Sequence, residues 1–411
     1  MKNTIKHIAV FLFFIAVSFN GYAQKENLTN KIYSFVSRIG EQKQLDSMKS
    51  IYAQMQKTYP EENHKDLHYI FSMAKGSLAI AMIKGNDPLA DDMIAAIPDG
   101  QMRRNYLGSI TNLLIKKGKP IQAEQLLKDA LVKGKKDSAN FYTYSYNYAD
   151  LLYQLKRYNE ALHWIKPVME TSGRKSDKQK ALYAFILHAN KNYVEAVQIL
   201  SPMVKEGMAS DEAKQILKEA WVASGNKKED FNTYLNGLLK DLSADKVEYM
   251  KKHEVNYDAP DFKLLNLEGK EVSLSSFKNK VVMLDFWATW CGPCVGAFPA
   301  MQKAVDKYKN NKDVIFLFIN SWETGNDPVK RKAKVKDFLA NKPYKFNVLL
   351  DPNPGTEQSD YVVISKYKVK GIPAKFIIDK NGKVRYALTG FSGGDDATVE
   401  EISIAIDNLI K

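Results

Sequence analysis

The segment from Val281 to Pro299, VVMLDFWATWCGPCVGAFP, restricts the fold of this chain more than any other stretch. Its apolar opening, Val281 to Leu284, is the run expected of a strand buried on both faces. The amphipathic stretch from Val295 to Tyr308 reads as a helix, so Cys291-Gly292-Pro293-Cys294 falls where strand turns into helix. A helix beginning at Cys291 leaves that sulfur among unpaired amide N–H groups at the positive end of the dipole, which favours a thiolate. Cys294 then lies one turn inside, placed to attack Cys291 once that sulfur is bonded to a substrate. The arrangement suits a dithiol that makes and breaks disulfides.

Three other uses of the pair compete. A zinc knuckle needs four ligands, yet these are the only two cysteines and all six histidines precede the strand. A structural staple across so short a loop contributes only about 2 kcal/mol, a poor brace. The third alternative is a coincidental pair of free thiols. A strand leading in and a helix leading out favour the redox reading. Asp285 strengthens it: a carboxylate inside VVMLDFW is costly to bury ionised, so its pKa should rise toward that of a useful base. The alternative for Asp285 is an acid at a strand end that reaches water.

DFWATWCGPC followed by Pro299 resembles the thioredoxin active site almost residue for residue. The resemblance implies that Cys291 attacks, that Cys294 resolves, and that Asp285 manages the proton of the resolving thiol. It further implies that Trp290 and Pro293 shape the site and that Pro299 kinks the helix. Gly371-Ile372-Pro373 resembles the loop whose cis-proline faces the disulfide and whose preceding backbone pairs with substrate. Two positions depart from the pattern of exported relatives. Ala297 stands where a glutamate often follows the second cysteine, and Ala374 where threonine often follows the cis-proline.

Residues 1–23 read as a secretory signal peptide. Lys2 and Lys6 precede an apolar run from Ile8 to Phe19, and Gly21-Tyr22-Ala23 ends in small residues. That run is too short to span a bilayer, and no later stretch is long enough, so no membrane span is expected after signal removal. A membrane-anchoring helix is the alternative. Export, to a bacterial periplasm in this reading, places the cysteines where disulfides persist, and a single pair suits catalysis rather than scaffolding. The net charge of +13 is spread along the chain, which argues for solubility and against a nucleic-acid partner. Its densest cluster, Lys330 to Lys336, reads as the wet face of a helix. No cofactor and no metal is implied; His64 and His68 have helical i, i+4 spacing but no third ligand.

Residues 24–253 read as an all-α helical-repeat domain, from apolar 3–4 spacing without alternating strands. KGKPIQAEQLL, KRYNEALHWI and KNYVEAVQIL share Ala123, Ala161 and Ala196, spaced 38 and 35 residues apart. That period is near that of helix-turn-helix repeats and resembles tetratricopeptide repeats, without their tryptophan and glycine positions. Five aromatics in the eight residues Phe141 to Tyr148 suit either a peptide groove or, more simply, repeat-against-repeat packing. Residues 254–411 read as the thioredoxin-like domain, behind a linker at His253 to Phe262. Their order, a hairpin and then β-α-β-α-β-α-β-β-α, is similar to the TlpA-like exported reductases, an α/β thioredoxin fold.

The expected activity is a thiol-disulfide oxidoreductase that reduces protein disulfides, fed by an upstream thiol donor, with the helical repeats available to a protein partner. One rival is a peroxiredoxin-like thiol peroxidase, whose signature needs Pro seven and Thr three residues before the cysteine. Leu284 and Ala288 stand there for Cys291, and Trp287 and Cys291 for Cys294. The other rival is a helical binding scaffold with a docking thioredoxin-like domain; the intact cysteine pair with Asp285 argues against it.

Overall fold

The computed structural model describes residues 26–98, 100–134, 138–225, 230–325, 327–355, 357–391 and 394–411. The expected signal segment lies outside the described residues. The chain divides into two compact units, Met1–Arg174 and Lys175–Lys411.

The first unit is helical: α1 (residues 26–41), α2 (Leu45–Thr58), α3 (His68–Lys84), α4 (Ala90–Ala95), α5 (Gln101–Lys116), α6 (Pro120–Gly134), α7 (Ser138–Gln154) and α8 (Tyr158–Glu170). The second opens with α9 (Asp177–Ala189), α10 (Tyr193–Lys205), α11 (Asp211–Ala223) and α12 (Phe231–Lys252). The three similar sequence segments open α6, α8 and α10, and their shared alanines are fully buried. The same turn precedes each helix. Gly118, Lys156 and Lys191 adopt φ of 73°, 59° and 65°. The next amide in each case (Lys119, Arg157, Asn192) donates to a carbonyl five residues back at 2.9 Å. That bond closes the outgoing carbonyls of one helix and aims the chain into the next. The aromatic run lies on α7 and serves packing. Tyr144 and Tyr148 are buried, the Tyr148 ring meets Trp164 at 5.3 Å, and its hydroxyl donates to Glu124 at 2.8 Å.

The second unit continues into a sheet of β1 (Glu254–Asp258), β2 (Lys263–Asn266), β3 (Glu271–Ser273), β4 (Val281–Trp287), β5 (Val314–Asn320), β6 (Val348–Leu350), β7 (Ala374–Ile378) and β8 (Lys383–Thr389). Helices α13 (Gly292–Tyr308), α14 (Pro328–Leu339), α15 (Val362–Lys366) and α16 (Asp395–Ile410) complete it. The strand order β1-β8-β7-β4-β5-β6-β2-β3, with β4 parallel to β5 and antiparallel to β7, is a thioredoxin fold. The hairpin β2–β3 and strand β1 are added at its two edges.

Every residue of β4 is buried, and its side chains alternate between two cores. Val281, Met283 and Trp287 share one with Cys291, Cys294, Phe298 of α13 and Ile402, Ile406 of α16. Val282, Leu284 and Phe286 share the other with Val363 and Ile364 of α15.

The segment His253–Phe262 is not a linker throughout. It carries β1, which pairs with β8 from Glu254 opposite Tyr386 to Asp258 opposite Lys383. Being an edge strand with mostly exposed side chains, it has no apolar alternation for a sequence reading to find. The helices before it also join this unit's core. Met250 of α12 is buried with residues of α13 and α16, and Lys246 meets Glu401 at 2.7 Å. Gly207, at φ 71°, lies so close to α16 that a Cβ there would sit 2.6 Å from the Ala397 nitrogen. Within this unit, α12 thus shares a core with α13 and α16.

Candidate active site

The buried strand β4 delivers the chain to the centre of the sheet's carboxyl edge, where open α/β sheets place their sites. Residues 288–290 turn it, and Cys291 becomes the N-cap of α13. Its sulfur accepts a hydrogen bond from the Cys294 amide at 3.2 Å, the N-cap interaction that stabilises negative charge on that atom. The two sulfurs form a disulfide, with Cα atoms 5.3 Å apart. Cys291 is 3% and Cys294 1% exposed, while Trp290 is 48% exposed, and Gly292 and Pro293 also face solvent. A partner would meet the tryptophan and the Gly-Pro rim before reaching sulfur.

Opposite the disulfide, the Ile372–Pro373 peptide bond is cis and the Ile372 carbonyl oxygen lies 3.7 Å from Cys291 Sγ. Gly390 N–H donates to the Pro373 carbonyl at 2.8 Å and so ties this loop to the end of β8. Cys291, Cys294, Trp290, Ile372 and Pro373 thus meet at one surface.

Asp285 lies on the α13 face of β4, 1% exposed, with Oδ1 lacking a hydrogen-bond partner. Desolvation pushes its pKa up to about 6, against the opposing pull of Lys375, its cross-strand neighbour on β7. Ala297, on α13, is fully buried and adds no second acid to this core. The apolar surroundings of Asp285 thus favour its protonated form.

Glu323, in the loop after β5, escaped the sequence reading. Its carboxylate accepts the Thr289 amide at 2.8 Å, the Thr289 hydroxyl at 2.7 Å and the Asn320 amide at 3.2 Å, and pairs with Lys334 at 2.9 Å. Burial works to raise its pKa, but the Thr289 bonds and Lys334 outweigh it and hold the carboxyl below its usual value. Next to it, the Trp322 carbonyl accepts the Trp290 indole N–H at 2.7 Å. The Glu323 loop therefore fixes the two residues before Cys291. No motif advertises it; only the topology, which puts the ends of β4 and β5 side by side, brings it there.

Replacing Glu323 by alanine should cost roughly 2–4 kcal/mol, because buried donors lose their acceptor. Since its pKa is depressed on folding, this stabilisation is full above the unfolded-state value of about 4.3 and is lost as pH falls through the folded value. Urea unfolding at neutral pH and at about pH 3 should show the gap between wild type and variant shrinking in acid. A constant gap would mean that Glu323 acts by packing alone.

Among the described residues no group of acidic, histidine and cysteine side chains could hold a metal ion, and no helix is long and apolar enough to cross a membrane.

The AhpC/TSA family matches residues 255–387. The chain is 35% identical over 153 residues to a thiol-disulfide oxidoreductase ResA of Bacillus cereus, covering 37% of this chain and 78% of that protein. It is 34% identical over 142 residues to ResA of Geobacillus thermodenitrificans, covering 34% of this chain and 73% of that one. With ResA of Bacillus subtilis (strain 168) it shares 35% over 133 residues, covering 32% and 66%.

Proposed function

The chain belongs to the family of the ResA thiol-disulfide oxidoreductases, and from that membership we propose that it is an exported reductant of protein disulfides working through Cys291 and Cys294. The observation that carries this reading is the disulfide at the N-terminus of α13, with the cis-proline loop facing it and a buried acid beneath.

The reaction starts from the dithiol. Cys291 thiolate attacks one sulfur of a substrate disulfide, forming a mixed disulfide and releasing the first substrate thiolate. Cys294 gives its proton to the Asp285 carboxylate and attacks Cys291 Sγ. The bond between Cys291 and the substrate breaks, and the second substrate thiolate leaves and is protonated. Two electrons pass to the substrate, and the enzyme ends as the Cys291–Cys294 disulfide. An upstream dithiol donor returns it to the starting state by the same exchange in reverse. The Ile372 backbone pairs with the substrate chain beside the attacked sulfur, and Trp290 and Pro293 form the contact rim. The Gly-Pro pair between the cysteines favours reduction over oxidation. A proton-handling glutamate at position 297 being absent, that work falls to Asp285.

Export rests on the basic-then-apolar start of the sequence, and the bacterial periplasm is the compartment in which such an activity has substrates. The helical repeats of residues 24–253 select the protein partners. For the peroxidase alternative, the AhpC/TSA match is the one supporting observation, but neither cysteine has the proline and threonine that its signature requires.

Supplied with a dithiol donor, the full chain should reduce an interchain protein disulfide well above the rate of the donor alone. It should consume hydrogen peroxide no faster than a free thiol. Rapid peroxide turnover with little disulfide reduction would reverse the choice between the two readings.

A further inference from the structure

A second charged side chain lies in the same apolar core and has no part in the exchange as written above. Lys375 is 3% exposed, on β7, directly across from Asp285 in the antiparallel pairing of β7 with β4. Ile377, two residues on, belongs to the core beneath α13, so Lys375 points to the face that also holds Asp285. In that row of the sheet Asp285 has Lys375 on one side and Phe318 on the other, and Leu388 lies beyond Lys375. Lys375 Nζ donates to the Gly390 carbonyl at 3.3 Å, and Gly390 N–H holds the Pro373 carbonyl. Lys375 is thus the cross-strand neighbour of the buried acid, and its ammonium is tied through Gly390 to the cis-proline loop.

Burying an ammonium in an apolar core is costly unless a partner offsets it. One hydrogen bond to a carbonyl offsets only part of that cost. Lys375 is the charged group that works against the desolvation of Asp285. We infer that Lys375 is a positioning residue for the resolving step, supplying the counter-charge that lets Asp285 stay a carboxylate until Cys294 gives up its proton. The inference rests on the dithiol mechanism proposed above. Lys375 touches neither sulfur; its effect runs through Asp285. It makes the base available at a pH where an isolated buried carboxyl would be protonated.

The test is the pH profile of resolution. The full-length dithiol protein is mixed with a small aromatic disulfide, and the second step is followed by stopped flow between about pH 5 and 9, the range that brackets a raised carboxyl. Lys375→Met should move the midpoint of the resolving step upward by about one pH unit, slowing it about tenfold below the midpoint. The first attack by Cys291 should keep its rate. Lys375→Arg, which keeps the charge, should restore the wild-type midpoint. In an Asp285→Asn background, Lys375→Met should add no shift. If Lys375→Met does not fold, Lys375→Gln, which keeps a donor for Gly390 but no charge, carries the same expectation.

A merely structural role, holding Gly390 and through it the Pro373 loop, would lower stability or slow both steps without moving the midpoint, and that result would overturn the inference. A shift that persists without Asp285 would overturn it too. Loss of any mixed disulfide through Cys291 in the wild type would instead strike the dithiol mechanism itself, so the two failures are distinguishable.

Discussion

With Cys291 replaced by serine, disulfide reduction should fall at least about a thousandfold, and no covalent adduct with a substrate should form. A serine hydroxyl is not ionised at neutral pH and cannot enter a disulfide. Cys294 should not stand in for it, because it lies one turn inside α13, whereas Cys291 is the N-cap whose sulfur accepts a helix amide. The fold should be little affected, since the N-cap position accepts serine as readily as it holds sulfur. The measurement is turnover of a protein disulfide with a dithiol donor, alongside the melting curve. Residual turnover within about tenfold of wild type would mean that Cys294 attacks substrate directly and that the division of labour is wrong.

Replacing Asp285 by asparagine should move stability and activity in opposite directions. The Asp285 pKa is raised on folding, to about 6. An acid shifted this way binds its proton more tightly in the folded than in the unfolded state. Its presence therefore costs nothing at low pH, and the cost grows as pH rises from about 4, its unfolded value, through about 6. At neutral pH the penalty is roughly 3 kcal/mol, so Asp285→Asn should unfold at higher denaturant by up to that much and lose the advantage near pH 4. The same variant should slow resolution of the mixed disulfide by roughly 10²-fold near neutral pH, because Cys294 has lost its base. A residue that weakens the fold and speeds the chemistry is a functional one. Unchanged resolution across pH, with or without added stability, would remove Asp285 from the mechanism.

The core of the catalytic fold could be read from the sequence because its strands are buried on both faces and so are continuously apolar. Val281–Trp287 and Val314–Asn320 announce themselves in that way, and the Cys-Gly-Pro-Cys pair fixes where the first of them must end. Asp285 was readable for the same reason, as an acid interrupting an apolar run. What escaped the reading depends on contacts distant in sequence. Strand β1 is an exposed edge, defined by its partner rather than by its own pattern. Glu323 belongs to the site because β5 lies beside β4, and its surroundings are those of an ordinary polar loop. Lys375 looked like one lysine among many; only the strand register sets it against Asp285. The shared core of α12 with α13 and α16 was hidden likewise, since the 3.6-residue periodicity shows that a helix has an apolar face but not what covers it.

The order in which the two sulfurs act is tested most directly by trapping the intermediate. Full-length Cys294→Ser protein, reduced and then mixed with a protein disulfide, should accumulate a stable adduct, and peptide mapping by mass spectrometry should place the linkage at Cys291. The reverse variant, Cys291→Ser, should yield none under the same conditions. An adduct mapped to Cys294 in the reverse variant, or none in either, would contradict attack by Cys291 and resolution by Cys294.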